Sequence, residues 1–340
     1  MKIAYHFTIP RPPLPELDAA IQDALKLQTY FSGELNYLYP AKRATSLVPR
    51  WLCGIHQMAE LRTLDQQVDL HHVYSNELYP YPILSRFRKP IVYTLVTSLR
   101  EGRSPWLYRL WASLNPVSHT IFVTSNERDQ QILQRWGILK VSVVPPGIDL
   151  SKFSYTPAPD EKFVLLVGSA PWSLAQFKSK GLELLLDAVQ AVPDLYLILL
   201  WRGTLFEEIQ QRLKERNLTD RVEIINRPIE VNQILARVHA SVVLSQNPYL
   251  VKAYPHSLLE SLGAGKPVLI SAGLAMAEYV KKMACGEVIS EFNLETFLAK
   301  LNHLRQNYSV YQQKVRELDL QQFSIDNLVK AYGKIYENAM

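Results

Sequence analysis

The sequence predicts an α/β protein of two Rossmann-like domains facing across a cleft, with the last helix crossing back to the first domain. Three observations predict it. Apolar runs of strand length alternate with segments of helical period, the pattern of parallel βαβ units. The chain has 340 residues, and about 150 residues per domain suggests two. Near position 150 the texture changes: VPPGIDLSKFSYTPAPDEK holds four prolines and no helical period, so it reads as the connection. The expected domains are 1–149 together with 323–340, and 150–322.

In the first half the strand candidates are Lys2–Thr8, Leu35–Tyr39, Val68–Val73, Ile91–Leu95, Thr120–Val123 and Lys140–Val144. In the second half they are Phe163–Val167, Leu195–Leu200, Val222–Ile225, Ala240–Leu244 and Pro267–Ile270. Helical patterns lie between them, among them Leu182–Val192, Leu205–Arg216 and Val231–Val238. No repeat or low-complexity tract interrupts the alternation.

Composition narrows the function classes. The formal charge of +5 suits phosphate-bearing ligands or anionic lipid and is too small to imply nucleic acid. The two cysteines, Cys53 and Cys285, form no CxxC pair and read as reduced thiols of a cytoplasmic protein. The start, MKIAYHFTIP, reads as a first strand rather than a signal peptide, and no apolar run is long enough to span a bilayer. No His/Asp/Cys cluster has metal-ligand spacing, so no metal is expected. The absence of a GxGxxG turn after the first strand argues against a dinucleotide enzyme.

The chemistry concentrates in SVVLSQNPYLVKAYPHSLLESLGAGKPVLIS, residues 241–271. A buried strand ends at Ser245, a loop follows, and a helix is expected to begin near Ser257. Ser257 and Glu260 have the S-x-x-E spacing of a capping box. The same geometry offers a phosphate the free backbone N–H groups and positive dipole of a helix start. A carboxylate one turn further in can accept hydrogen bonds from the two hydroxyls of a ribose.

This run resembles the donor-binding motif of glycosyltransferase family 4, the retaining GT-B enzymes. Three other segments fall in the order that the resemblance requires. VTSNERDQQIL followed by KVSVVPPGIDLSKF is similar to the family's Ser-Glu helix, strand and linker. FVLLVGS with KSKGLELLLDAV is similar to its V-G-R…K-G unit, and FSIDNLVKAYGKIYENAM to its terminal helices. The resemblance implies a glycosyltransferase that moves a sugar from a UDP- or GDP-linked donor to a glycan or lipid-linked acceptor, with retention and without metal or cofactor. It implies that Gly168 lets the backbone approach the phosphates and that Lys180 neutralises the pyrophosphate. Arg227, Pro228 and Ile229 would line the base; Pro255, His256, Ser257 and Leu258 would hold phosphate, and Glu260 the ribose. A catalytically silent nucleotide-sugar binder of the same fold is the alternative.

The sequence departs from the family on the reacting side. Lys252 stands where the family's first motif Glu is expected, and Ser169 replaces an arginine whose charge Arg202 could partly supply. Val96 stands in place of a histidine, and IPRPPLPELD replaces a glycine-rich turn. Lys252 could pair with an acidic group on the sugar or with phosphate. His71 and His72 are then the acid–base candidates left in the first domain. In residues 99–116, Trp106, Leu107, Leu110, Trp111 and Leu114 recur at helical spacing beside Arg100, Arg103 and Arg109. That stripe reads either as a core-facing helix or as a helix lying on an anionic membrane surface, which would make the protein peripheral to the inner face.

Overall fold

The structure is a computed structural model that describes residues 1–9, 11, 18–39, 52–78, 81–99, 119–157, 162–201 and 204–340. The chain divides into two compact units, residues 1–147 with 325–340, and residues 148–324. Each is built on a six-stranded parallel sheet.

The first sheet contains β1 (Ile3–Phe7), β2 (Gly33–Tyr37), β3 (Leu70–Ser75), β4 (Ile91–Leu95), β5 (Thr120–Thr124) and β6 (Val141–Val143). Their spatial order is β2-β1-β3-β4-β5-β6. β1, β3 and β4 are buried at every position, as expected for strands covered on both faces. Successive side chains point to opposite faces of a strand, so each strand feeds two cores. On one face Ile3, Tyr5, Phe7 and Tyr74 pack with the helix Ala19–Tyr30 and with Tyr332 and Tyr336 of the last helix, Ile325–Ala339. On the other, Val73, Tyr93 and Phe122 pack with Leu61 of the helix Met58–Gln67 and Ile132 of the helix Glu127–Arg135.

The second sheet contains β7 (Phe163–Val167), β8 (Leu195–Leu200), β9 (Val222–Ile225), β10 (Ala240–Val243), β11 (Val268–Ser271) and β12 (Gly286–Ile289), in the order β12-β11-β10-β7-β8-β9. One face carries the helices Leu182–Ala191, Phe206–Glu215 and Leu294–Gln306. The other carries His256–Gly263, Met276–Met283 and Val231–Leu235. Hydrogen-bonded ion pairs from Arg212 and Arg216 to Glu183 tie two of these helices together. The short edge strand β12 lies beyond the eleven strands read from the sequence.

Candidate functional site

Ligands of open α/β sheets bind outside the carboxyl ends of the strands, where the strand order reverses. In the unit 148–324 the reversal lies between β7 and β10. β7 is followed by Gly168, and β10 leads through residues 244–255 into the helix His256–Gly263.

No side chain caps that helix. Pro255 occupies the cap position with φ −65°, and its carbonyl accepts the N–H groups of Leu258 (3.1 Å) and Leu259 (3.2 Å). The helix therefore starts one residue earlier than the sequence suggested. Ser257 is its second residue and Glu260 its fifth, so the expected capping box is not formed. The physical reason is Pro255, whose fixed φ already sets the chain for a helix.

Ser257 packs instead beneath Gly168. A Cβ on Gly168 would lie 2.5 Å from Ser257 Cβ and 2.9 Å from its Oγ. Only glycine allows the turn after β7 to approach the helix start this closely. Lys180, which follows the helix Leu174–Ser179, is buried, and its Nζ donates to the carbonyl of Ala170 at 3.0 Å. Gly181 has φ +73°, and a Cβ there would come within 2.6 Å of Leu244 Cβ. The amide of Gln246 donates to Ser179 O at 2.8 Å. The Lys-Gly turn is thus fastened to the loop after β10.

Of the residues expected to hold the donor, Gly168 meets Ser257, between Pro255 and Leu258 at the helix start, and Lys180 bonds the carbonyl two residues beyond Gly168. His256 is buried and Glu260 half-buried in the same helix. Arg227 and Pro228 are exposed in the turn after the edge strand β9, and Ile229 rests against the cluster of Leu166 and Ile198. Lys252 is half-buried between the buried Val251 and Ala253, and the Ala253 carbonyl accepts the amide of Met276 at 3.1 Å. Arg202 and residues 100–118 lie outside the described residues, which leaves the Trp106–Leu114 stripe there.

His71 and His72 are corrected. Both lie near the start of β3, remote from its carboxyl end, and both are fully buried. The alternation of the strand sends them to opposite faces, so they do not act as a pair. His71 stacks on Phe87 at 3.8 Å; its Nε2 lies 3.1 Å from Asp65 Oδ1 and its Nδ1 2.9 Å from His6 Nε2. Asp65 also accepts the amides of Arg88 (3.0 Å) and Lys89 (3.2 Å). The carboxylate fixes His71 with its proton on Nε2, so His6 donates to His71 and in turn accepts from the Asn36 amide at 3.1 Å. On the other face His72 meets Tyr336 Oη and Thr94 Oγ1, each at 2.8 Å. Thr94 Oγ1 also meets Tyr332 Oη at 2.9 Å. Burial drives the His71 pKa down to about 4 and that of His72 to about 3, and holds His6 well below the ordinary range. Side chains sealed in this way cannot exchange protons with a sugar.

Sequence reasoning missed the Asp65–His71–His6–Asn36 chain because its members come from four elements. It also missed Lys266, fully buried, whose Nζ has no hydrogen-bond partner and whose amine burial lowers to about 8. At the carboxyl edge of the first sheet, Thr8 Oγ1 donates to Ser75 Oγ at 3.0 Å. Ser75 Oγ donates to Glu77 O at 2.7 Å, and Tyr93 Oη donates to the same carbonyl at 2.8 Å. These bonds pin the loop after β3 in a hydroxyl-rich edge. Among the described residues no helix is long and apolar enough to cross a membrane, and no three His, Cys, Asp or Glu side chains are grouped to hold a metal.

Two six-stranded parallel sheets with these strand orders, and a C-terminal helix that returns to the unit of the first, are the fold of the GT-B class of glycosyltransferases. Residues 148–317, half of the chain, match the family described as glycosyl transferases group 1, and the chain belongs to that family. Solved structures share the fold along the whole length. Anabaena HepE, solved in complex with UDP-glucose, is 17% identical with a TM-score of 0.71, covering 99% of this chain and 100% of that one. A glycosyltransferase from Rickettsia africae is 12% identical with a TM-score of 0.71, covering 99% and 98%. Sucrose-phosphate synthase from Thermosynechococcus elongatus is 14% identical with a TM-score of 0.71, with the same coverage. No curated protein matches the sequence.

Proposed function

We propose that this glycosyltransferase takes its sugar from a nucleotide-sugar bound at the switch point of the unit 148–324 and passes it to a glycan or lipid-linked acceptor on the other unit. The observation that carries the reading is the close approach of Gly168 to Ser257 over an uncapped helix start. It leaves backbone amides and a helix dipole aimed at one point, the arrangement that suits a diphosphate. Lys180 adds a full positive charge beside the same turn, and this charge, with the dipole, serves the leaving diphosphate in place of a metal ion. Glu260 accepts the ribose hydroxyls, and the Arg227–Ile229 turn lines the base. HepE binds UDP and UDP-glucose, which supports a uridine donor; a guanosine donor fits the same parts. Retention of the anomeric configuration follows from the resemblance to family 4.

Charge supports an anionic acceptor or a membrane-borne one. Basic and acidic residues cancel within 148–324, so the whole formal charge of +5 falls on the other unit. The basic aromatic stripe at 99–116 belongs to that unit, and a cytoplasmic protein peripheral to an anionic bilayer would present it there. Co-sedimentation with vesicles that ignores their anionic lipid content would remove the membrane part of the proposal.

The deciding experiment is a thermal-shift panel of UDP, GDP, ADP and their sugars. A ligand at 100 times its Kd stabilises by about 2.7 kcal/mol. One nucleotide should raise the melting temperature, and its sugar should be slowly hydrolysed or transferred. If no nucleotide shifts the melt and Glu260→Ala behaves as the parent protein, the donor site is wrongly placed.

A further inference from the structure

The helix His256–Gly263 is gripped at both ends. At its start Ser257 lies beneath Gly168, where an added Cβ would come within 2.5 Å. At its far end the linker that follows residue 147 lies against it. A Cβ on Gly263 would meet Phe153 Cβ at 3.4 Å, and one on Gly265 would lie 2.7 Å from Tyr155 Cδ2. The length of the helix sets these two grips about 12 Å apart.

The far grip is itself secured. Besides Gly265, Tyr155 touches the helix Tyr308–Arg316: the Arg316 guanidinium lies 4.7 Å from its ring centroid, and its Oη donates to Gln312 Oε1 at 3.3 Å. Beside it the Ser154 amide donates to Asn232 Oδ1 at 3.3 Å, and Ser154 Oγ accepts from Asn232 Nδ2 at 3.2 Å. The Gly265 amide donates to Leu262 O at 3.0 Å and that of Lys266 to Ser261 O at 2.9 Å. The turn that Tyr155 covers is thus bonded to the last turn of the helix. Tyr155 is 41% exposed, so its ring fills no core, yet it is held in place.

A short helix is stiff along its axis, and a close-packed interior passes a displacement on rather than absorbing it. The contact at Gly168 leaves no slack at one end. The stand of the helix start against Gly168 is therefore set in part at the other end, by the ring of Tyr155 on Gly265. On the donor reading above, on which this rests, we infer that Tyr155 is a positioning residue for the diphosphate: from the linker, through the helix, it sets the backbone amides of His256–Leu258 against the turn at Gly168. The segment that the sequence shows only as a connection is part of the frame of the donor site.

The test uses the full chain and isothermal titration with UDP and GDP. For the diphosphate that the parent protein binds, Tyr155→Ala should weaken binding by about tenfold, the worth of one hydrogen bond to a charged group. Tyr155→Phe keeps the ring on Gly265 and gives up only the bond to Gln312; it should stay within about twofold, the scatter found between independent sites. In a Gly168→Ala background, where the helix start is already displaced, Tyr155→Ala should add less than about twofold. Coupling is reciprocal, so saturating diphosphate should slow hydrogen exchange at the amides of Ser154 and Gly265 in the parent protein, a readout that needs no variant to fold. A Tyr155→Ala protein that melts lower but binds as the parent does overturns the inference, for the tyrosine would then only hold the linker. So do losses that multiply in the double variant, and exchange at Ser154 and Gly265 that ignores the ligand. In each of these cases the donor site still stands. If neither diphosphate binds the parent protein, the donor reading fails and the inference with it. Circular dichroism of the variants shows that they fold.

Discussion

Gly168→Ala isolates the closest approach in the proposed donor site. The added methyl would sit 2.5 Å from Ser257 Cβ and 2.9 Å from Ser257 Oγ. A rotamer change can move the Oγ but not the Cβ, which sits on a helix held by the buried Leu258 and Leu259. The loop or the helix start must move, and such overpacking costs about 1–3 kcal/mol. Ser257→Gly removes both clashing atoms and leaves only Ser257 Cα, 3.9 Å away. On its own it costs up to about 1 kcal/mol through helix propensity. The double variant should therefore be more stable than the sum of the singles by about 1 kcal/mol or more, a coupling that distant sites do not show. For a unit of this size 1 kcal/mol shifts the melting temperature by about 2–4 °C. Calorimetry of the four proteins, with UDP or GDP titrated into each, measures both stability and the site. Additive losses, or a Gly168→Ala protein that melts and binds as the parent does, would refute the geometry.

Other outcomes follow from the same structure. Glu260→Gln should weaken nucleotide-sugar binding by about tenfold, the loss of one or two hydrogen bonds to a charged acceptor, while the unliganded melt stays within about 1 °C; a normal Kd removes its ribose role. Tyr336→Phe leaves a buried His72 nitrogen unsatisfied and should cost about 1–3 kcal/mol in the unit 1–147 with 325–340, with exchange of helix Ile325–Ala339 amides rising first; unchanged exchange would contradict the bond. His6, His71 and His72 have lower pKa values in the folded chain than the ordinary 6.5, so the unfolded chain binds protons first. The stability they contribute is complete above pH 6.5 and is lost as pH falls towards 4 and 3, at about 1.4 kcal/mol per pH unit for each proton taken up. Denaturant midpoints of the parent and of His71→Gln against pH measure this, and a pH-independent midpoint from 7 to 4 would show the histidines to be solvated.

Much of the fold could be read because parallel strands covered on both faces are unbroken apolar runs. Phe163–Val167 and Leu195–Leu200 coincide with their predicted limits for that reason. β12 was not legible: Gly286-Glu287-Val288-Ile289 is short and opens with a glycine and a carboxylate, and Glu287 is tolerable at a buried position because Lys300, His303 and Tyr311, all from later helices, bond it. The donor side of the site showed itself through glycine and proline, whose backbone demands are local. The histidines misled because a His-His doublet says nothing about depth. Their partners, Asp65, His6, Tyr336 and Thr94, come from four other elements, and burial is a property of the assembled sheet.

The returning helix has a consequence for how the protein is made. One unit is interrupted: its sheet is complete by residue 147, but the helix that covers Tyr5, His72 and Tyr74 follows only after residue 324. On the ribosome the first sheet must wait, with one face covered by the helix Ala19–Tyr30 alone, while 177 residues of the other unit emerge and fold. A stop between residues 324 and 332 would release a protein with an intact second unit and a first unit that lacks the buried Tyr332, Ile335 and Tyr336. Cells would meet such a product as a chaperone client or a protease substrate rather than as a weaker enzyme. Residues 325–340 therefore act as a check that the unit between them and residue 147 has been made.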